Sequence, residues 1–111
     1  MVPQSLKSPR LLGDIVPKHV TQAAPGLTKV LFENDRIRVV ELKVKKGAKA
    51  EMHTHPAYLT YTMTAFEYKS TPAGGKTEHR KLKAGEVDWS DGESHAVEFV
   101  APGRALVIEL K

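Results

Sequence analysis

From Thr28 onward the chain alternates short apolar segments with turn signals, and this alternation constrains its fold more than any other feature. Pairs such as Asn34-Asp35, Gly74-Gly75 and Asp91-Gly92 separate the segments, and tight turns favour these residue types. Within several segments apolar and polar residues alternate, as in a strand with one buried face. The pattern predicts about eight short strands and no helix, which is typical of an all-β fold, a small antiparallel sandwich or barrel.

One segment departs from simple alternation. In the strand predicted at Arg36–Val44, residues of one parity, such as Val40 and Leu42, are apolar. Ile37 and Val39, on the opposite side, are apolar as well. A bulge in the strand, or apolar cover on both of its faces, explains such a pattern.

The first 27 residues differ from the rest of the chain in their proline content. Four of the seven prolines lie there, and because proline fixes φ and lacks a backbone donor, regular structure should be short. We therefore divide the chain into an irregular N-terminal arm, residues 1–27, and a β-barrel domain, residues 28–111. The apolar residues that could anchor the arm are Leu11, Leu12, Ile15 and Val16.

Composition excludes several classes of protein. At 111 residues, 41% apolar and 27% charged, the chain has the length and composition of one globular domain. It has no cysteine, so disulfides and thiolate metal sites are excluded. No apolar run reaches the roughly 20 residues of a membrane span, and the N-terminus lacks the apolar core of a secretory signal. We expect a cytoplasmic protein that binds neither membrane nor nucleic acid, because acidic residues intersperse the lysines that give a net charge of +4.

Two histidines two residues apart are the first candidates for chemistry. His53 and His55 lie beside residues that favour strands, such as Tyr58 and Thr60. In a strand their side chains point to the same side, about 7 Å apart, and can converge on one metal ion at about 2.1 Å. On a helix they would point in nearly opposite directions. The alternative is a chance pair on the surface.

His95 is the third candidate. It begins a predicted strand in which Val97 and Phe99 share its side, so it lies at the end of an apolar stripe. The alternative is a buried, hydrogen-bonded histidine without a ligand. If three histidines share one ion, their nitrogens should lie about 3–4 Å from one another.

The spacing around these histidines resembles the two sequence motifs of the cupin superfamily. The first motif has a glycine, five residues and an H-x-H pair, as in Gly47, His53 and His55. Gly85 can open the second motif, and Gly92-Glu93-Ser94-His95 matches its G-x2-H element with one residue fewer in between. The resemblance covers all of the chain but the N-terminal arm. It implies a small single-domain bacterial cupin, a jelly-roll-like barrel also called a double-stranded β-helix.

The chain departs from the cupin motifs at one ligand position and at the end of the second motif. Leu59 and Thr60 stand where the family places a metal-binding glutamate, and Phe99 stands where the second motif ends in asparagine. Some cupins without that glutamate use three histidines, and others have lost the metal. The resemblance therefore implies a divalent transition metal (Fe, Zn, Mn or Ni) on three ligands: His53, His55 and His95.

The resemblance leaves several functions open. The chain could be a metal-dependent dioxygenase, isomerase or lyase acting on a small polar molecule. Tyr61, which has the parity of the histidines, would then be a catalytic residue that donates a hydrogen bond or transfers a proton. The alternative is a cupin that binds a small ligand without turnover, or a regulatory or structural one without metal. We also expect a homodimer, because exposed edge strands and the apolar residues of the arm need cover.

Overall fold

The computed structural model describes residues 18–111, which contain ten strands and one four-residue helix. Strand β1, Lys18–His19, and helix α1, Val20–Ala23, come first. The other nine strands lie in the predicted barrel. They are β2 Thr28–Glu33, β3 Ile37–Val44, β4 Lys49–His55, β5 Tyr58–Thr64, β6 Phe66–Pro72, β7 Glu78–Leu82, β8 Val87–Ser90, β9 Glu93–Ala101 and β10 Gly103–Leu110.

The strands form two five-stranded sheets. The first sheet has the order β1-β4-β9-β6-β7, and the second has the order β2-β3-β10-β5-β8. All pairings are antiparallel except that of β1 with β4, which is parallel. The all-β prediction is confirmed, and the molecule is a jelly-roll-like barrel.

The interior follows from the period-two pattern of each strand. Inward-pointing residues of both sheets form an apolar cluster at one end of the barrel, which we call the closed end. Phe66 and Phe99 of the first sheet lie there against Ala105 of the second. Further along β9, the same inward row continues through Val97 to His95. The stripe predicted for β9 is therefore confirmed, with its histidine beyond the apolar cluster.

The turn predicted at Gly74-Gly75 lies between β6 and β7. Strand β6 continues to Pro72, where it still pairs with β9. The two strands on either side of Ala65, β5 and β6, belong to different sheets.

Residues 18–27 lie against the barrel. Lys18 pairs with His53, and Val20 and Ala24 are buried. The four anchor residues predicted for the arm lie outside the described residues, and the boundary at residue 27 stays a prediction. Between Lys18 and Lys111, no helix has the length and apolar character that crossing a membrane requires.

Candidate metal centre and cavity

Three histidines meet inside the barrel because two neighbouring strands of the first sheet bring them together. His53 and His55 point inward from β4, and His95 of β9 pairs directly with His53. The ring centroids lie 4.8 Å apart for His53 and His55, 4.7 Å for His53 and His95, and 5.4 Å for His55 and His95. All three side chains are buried. One ring nitrogen from each lies within 4.8 Å of the other two.

Each of the three rings is held by a hydrogen bond at Nδ1. Nδ1 of His53 lies 2.6 Å from the carbonyl oxygen of Glu51, and since a carbonyl can only accept, this nitrogen carries the proton. Nδ1 of His55 lies 3.1 Å from Oε2 of Glu109. Nδ1 of His95 lies 2.7 Å from Oγ of Ser70. Protons on Nδ1 of His53 and His55 leave the Nε2 lone pairs of these two rings free, which is the arrangement that outer hydrogen-bond partners give to metal-binding histidines. The Ser70 hydroxyl can accept from Nδ1 of His95, and in that tautomer the Nε2 lone pair of His95 is free as well.

The protein environment also favours neutral rings. Burial lowers the pKa of His53 to about 4, although its hydrogen bond to the Glu51 carbonyl acts in the opposite direction. Burial likewise lowers the pKa of His95 to about 4, against the attraction of the Glu93 carboxylate. Only a neutral imidazole can bind a metal, so these two histidines are ready to do so at neutral pH.

A buried carboxylate in the second sheet supports the centre. Glu109 of β10 is 1% exposed, and it accepts hydrogen bonds from His55 and from Nε2 of His19 at 2.7 Å. Nε of Arg38 lies 3.4 Å from Oε1 of Glu109, so it contributes charge. Burial alone raises the pKa of the Glu109 carboxyl, but the hydrogen bonds from His55 and His19 outweigh it, and the net pKa is lowered. Glu109 is therefore a carboxylate that orients His55.

The histidines open onto a cavity of about 350 Å³ between the two sheets. Tyr58 lies beside His55, with ring centroids 4.7 Å apart, and its hydroxyl donates a hydrogen bond to Glu93. Burial and this hydrogen bond raise the pKa of Tyr58 above its ordinary range, so the phenol keeps its proton. Further polar residues that line the cavity are Thr60, Glu78, Arg80, Asp88 and Ser90.

Several solved structures share this arrangement of strands. A cupin domain from Bordetella pertussis Tohama I matches with a TM-score of 0.68 at 18% sequence identity, over 87% of this chain and 97% of that one. An RmlC-like cupin from Desulfovibrio desulfuricans matches with a TM-score of 0.56 at 17% identity, over 95% of this chain and 96% of that one. The chain has the cupin fold.

A longer protein matches as well. Oxalate decarboxylase from Lactobacillus farciminis, solved as a formate complex, has a TM-score of 0.55 at 18% identity, over 70% of this chain and 24% of that one. No protein-family model and no curated protein matches the sequence. The resemblance to cupins is thus confirmed by the fold.

The cupin barrel does not bring Tyr61 to the histidines. Tyr61 is 41% exposed and pairs with Leu106 and Val87 on the outside of the second sheet. The parity argument failed because Pro56 separates β4 and β5, which belong to different sheets, so alternation does not carry over. We therefore assign Tyr61 no role in the cavity, where Tyr58 and Thr60 point instead.

Sequence reasoning missed two residues at this end of the cupin barrel, Glu109 and His19. One signal was present for Glu109: it has the parity of Ala105 and Val107 in the last strand, so it is a charged residue on a stripe that is otherwise apolar. No sequence signal identified His19, because only the parallel pairing of β1 with β4 brings it to Glu109.

Proposed function

We propose that this cupin binds one divalent transition metal ion through His53, His55 and His95, and that it is an enzyme acting on a small polar molecule in the cavity. One observation carries the proposal: the Nδ1 atom of each histidine is already engaged, which leaves three Nε2 atoms for a shared ligand. Among residues 18–111, the structure shows no hydrogen bond at Nε2 of any of the three imidazoles. A three-histidine set with an open position is typical of catalytic metals.

The donor set favours some metals over others. Imidazole nitrogen suits Zn, Fe and Ni, whereas Mn prefers oxygen ligands. Among residues 18–111, the metal-ligating cluster contains no carboxylate. We therefore expect Zn, Fe or Ni rather than Mn. Such an ion would supply Lewis-acid polarisation to an oxygen atom of a bound molecule.

The chain's own residues favour proton-transfer chemistry, as in an isomerase or a lyase, over a dioxygenase reaction. Glu93 lies on the same strand as His95, 3.5 Å from its Nδ1, and is partly open to the cavity. Its carboxylate can take a proton from a substrate carbon next to a carbonyl or carboxylate group. Tyr58 can then form a hydrogen bond with the protonated Glu93, or donate a hydrogen bond to the substrate. The two residues form a ready acid–base pair beside the histidines.

The proposed substrate is a small carboxylic or hydroxy acid. A cavity of about 350 Å³ lies at the lower end of the range for small-molecule sites. The structurally similar oxalate decarboxylase was solved with formate, which is a small carboxylate. A homodimer and a cytoplasmic location belong to the same proposal.

The first experiment is elemental analysis of untagged protein purified without added metal. We expect close to one transition-metal ion per chain, and protein that holds no metal after purification and after reloading would overturn the proposal.

The second experiment is incubation of the metal-loaded protein with small hydroxy and keto acids in D₂O, followed by NMR. Deuterium incorporation that Glu93→Gln abolishes, with metal content unchanged, supports an isomerase or lyase. Ligand binding without incorporation supports the non-catalytic alternative.

A further inference from the structure

The wall of the cavity contains one cationic side chain. Within residues 18–111, Arg80 is the only lysine or arginine that lines the cavity. It lies on β7, an edge strand of the first sheet, and it pairs with Tyr68, which in turn pairs with Phe99. Because these two partners also line the cavity, Arg80 has the inward parity of its strand. Its guanidinium forms no ion pair with another described residue.

An arginine on an edge strand can also serve to discourage pairing with another sheet. The outward residues of β7 already meet that need, because His79 and Lys81 alternate with Arg80 and point to the outer side. An inward guanidinium without a carboxylate partner is instead suited to bind a carboxylate through two parallel hydrogen bonds. Arg80 therefore has the position and the chemistry of an anion-binding residue of the cavity.

Tyr68 complements Arg80 as a neutral donor. Burial raises the pKa of the Tyr68 hydroxyl, and the charge of Arg80 acts in the opposite direction. Nearby carboxylates add to the rise: Glu93, Asp88 and Glu78. The net pKa is raised, so the phenol keeps its proton and can donate a hydrogen bond. Since Arg80 and Asp88 both act on this hydroxyl, the two charges lie near the same point of the cavity.

Asp88 faces the cavity from the second sheet. It lies on β8, an edge strand of that sheet, and both Asp88 and its register partner Thr60 line the cavity. Its Oδ2 is shielded from solvent and accepts no hydrogen bond from any residue between Lys18 and Lys111. A buried acceptor without a donor is unfavourable. Because the terminal torsion of aspartate is soft, a small rotation can present this oxygen to a donor in the cavity.

Both charges lie beyond the histidines along the cavity. On the first sheet, Pro72 pairs with His95, whereas Arg80 pairs with Tyr68, further back along β6. At about 3.3 Å per residue, these two rows are roughly 13 Å apart. An anionic group held by Arg80 is therefore not the group that a metal on the histidines would bind.

We propose that Arg80 and Asp88 select the substrate, by binding a carboxylate and a hydrogen-bond donor of the same small molecule. This inference rests on the proposed function, in which the molecule is a small acid. Arg80 and the Tyr68 hydroxyl hold the carboxylate, and Asp88 accepts from a hydroxyl or an ammonium group. Since the other charged residues of the cavity wall are acidic, namely Glu78, Asp88 and Glu93, they repel a carboxylate placed away from Arg80. The substrate class is thus a hydroxy acid or an amino acid, and not a simple carboxylic acid.

Ligands built on one four-carbon frame test each contact separately. 3-Hydroxybutyrate has both groups, butyrate lacks the hydroxyl, and butane-1,3-diol lacks the carboxylate. NMR titration gives the Kd of each with metal-loaded and with metal-free protein. We expect 3-hydroxybutyrate to bind about 10-fold more tightly than either of the other two. 3-Aminobutyrate then shows whether Asp88 prefers an ammonium group to a hydroxyl.

Two variants assign the contacts. Arg80→Gln should abolish the advantage of 3-hydroxybutyrate over the diol, and Asp88→Ala should abolish its advantage over butyrate. Each variant should leave the other advantage in place. Lys81→Gln is the control for the first, because it removes a positive charge from the outer side of the same strand. Asp35→Ala is the control for the second, because it removes a carboxylate from an exposed turn. Circular dichroism checks that every variant is folded.

Three results would overturn the inference. The first is 3-hydroxybutyrate that binds no more tightly than butyrate and the diol, or that does not bind at about 10 mM. The second is a pair of advantages that both variants retain. The third is a pair of advantages seen only with metal bound, which would mean that the ligand contacts the metal and not these two residues. Metal content is measured on the same samples, and the expected advantages do not require the metal, so failure of the metal site is told apart from failure here.

Discussion

The two sheets of this barrel share one cavity but differ completely on their outer sides. On the first sheet, a row through Lys49, Glu98, Lys69 and His79 crosses four strands, and every side chain in it is charged or titratable. In the corresponding row on the second sheet every side chain is apolar: Phe32, Val39, Ile108, Leu59 and Trp89. The first sheet thus follows the usual pattern of polar outside and apolar inside, and the second has the pattern of a sheet buried on both sides.

The two sheets therefore contribute differently to the molecule. The first sheet supplies all three histidines from β4 and β9 and faces solvent. The second sheet supplies Glu109 and Tyr58 to the cavity and carries an apolar row on its outer side. A residue of the first sheet should therefore matter only if it points inward, whereas the second sheet should be sensitive on both sides.

The largest expected effect tests the inward side of the first sheet. His95→Ala removes one of three proposed metal ligands, so metal affinity should fall by more than about 100-fold, beyond the 10–100-fold typical of losing an outer hydrogen-bond partner. His79→Ala is the matched control, because His79 lies on the outer side of the same sheet, hydrogen-bonded to Glu67. Isothermal titration with Zn²⁺ measures both. Equal affinities in the two variants would remove His95 from the site.

The next effect tests the support given by the second sheet. Glu109→Gln removes the negative charge that accepts from His55 and His19, and metal affinity should fall by about 10–100-fold. Glu67→Gln makes the same chemical change on the exposed outer side of the first sheet and should leave the affinity unchanged. A wild-type affinity in Glu109→Gln would show that Glu109 has only a structural role.

A third effect tests how closely the sheets approach at the closed end. A Cβ on Gly103 would lie 2.9 Å from Cγ of Phe66 and 3.0 Å from the carbonyl oxygen of Ala65. Gly103→Ala should therefore lower the free energy of unfolding by about 1–3 kcal/mol. Gly26→Ala is the control, because nothing lies within 4 Å of the added atom. Urea denaturation compares the two variants. Equal midpoints would mean that the closed end accommodates the added methyl group without strain.

The smallest effect is the pH dependence of metal-free protein. The pKa of His53 and of His95 is about 4 in the folded chain against an ordinary value of 6.5. The unfolded chain therefore binds more protons between these values. The stability that these neutral histidines contribute is complete above pH 6.5 and is lost as the pH falls towards 4.

Unfolding near pH 5 should thus take up about two protons at these sites, and His95→Gln should reduce the uptake by about one. Urea midpoints measured at intervals from pH 7 to pH 4 give both numbers. If the free energy of unfolding of His95→Gln depends on pH as steeply as that of the wild type, the lowered pKa of His95 is contradicted.

The sequence was most informative where one strand could be considered alone. The stripe that ends at His95 and the pair His53 and His55 lie within single strands, so parity placed them on one side. Tyr61 was misplaced because the turn at Pro56 moves the chain from one sheet to the other, and alternation cannot be extended across such a turn.

The apolar outer side of the second sheet was present in the sequence as a double pattern. Ile37 and Val39 break the alternation of β3, for which a bulge or apolar cover on both faces was predicted. The pairing of β3 with β10 is continuous, but its pairing with β2 is irregular between Val30 and Phe32. An irregularity beside β3 is therefore observed, and cover on both faces stays a prediction. Which parity faced the cavity could not be predicted, since both are apolar.

His19 ties the start of the described chain to the centre of the barrel. Its Nδ1 accepts a hydrogen bond from the Thr21 backbone N–H at the start of α1, so its Nε2 carries the proton that Glu109 accepts. A single imidazole therefore links helix formation in α1 to the orientation of His55. Because such coupling is reciprocal, whatever stabilises the orientation of His55 also makes the opening of α1 less favourable by the same free energy. The protection of the amides of this short helix against exchange with solvent would then report on the orientation of His55.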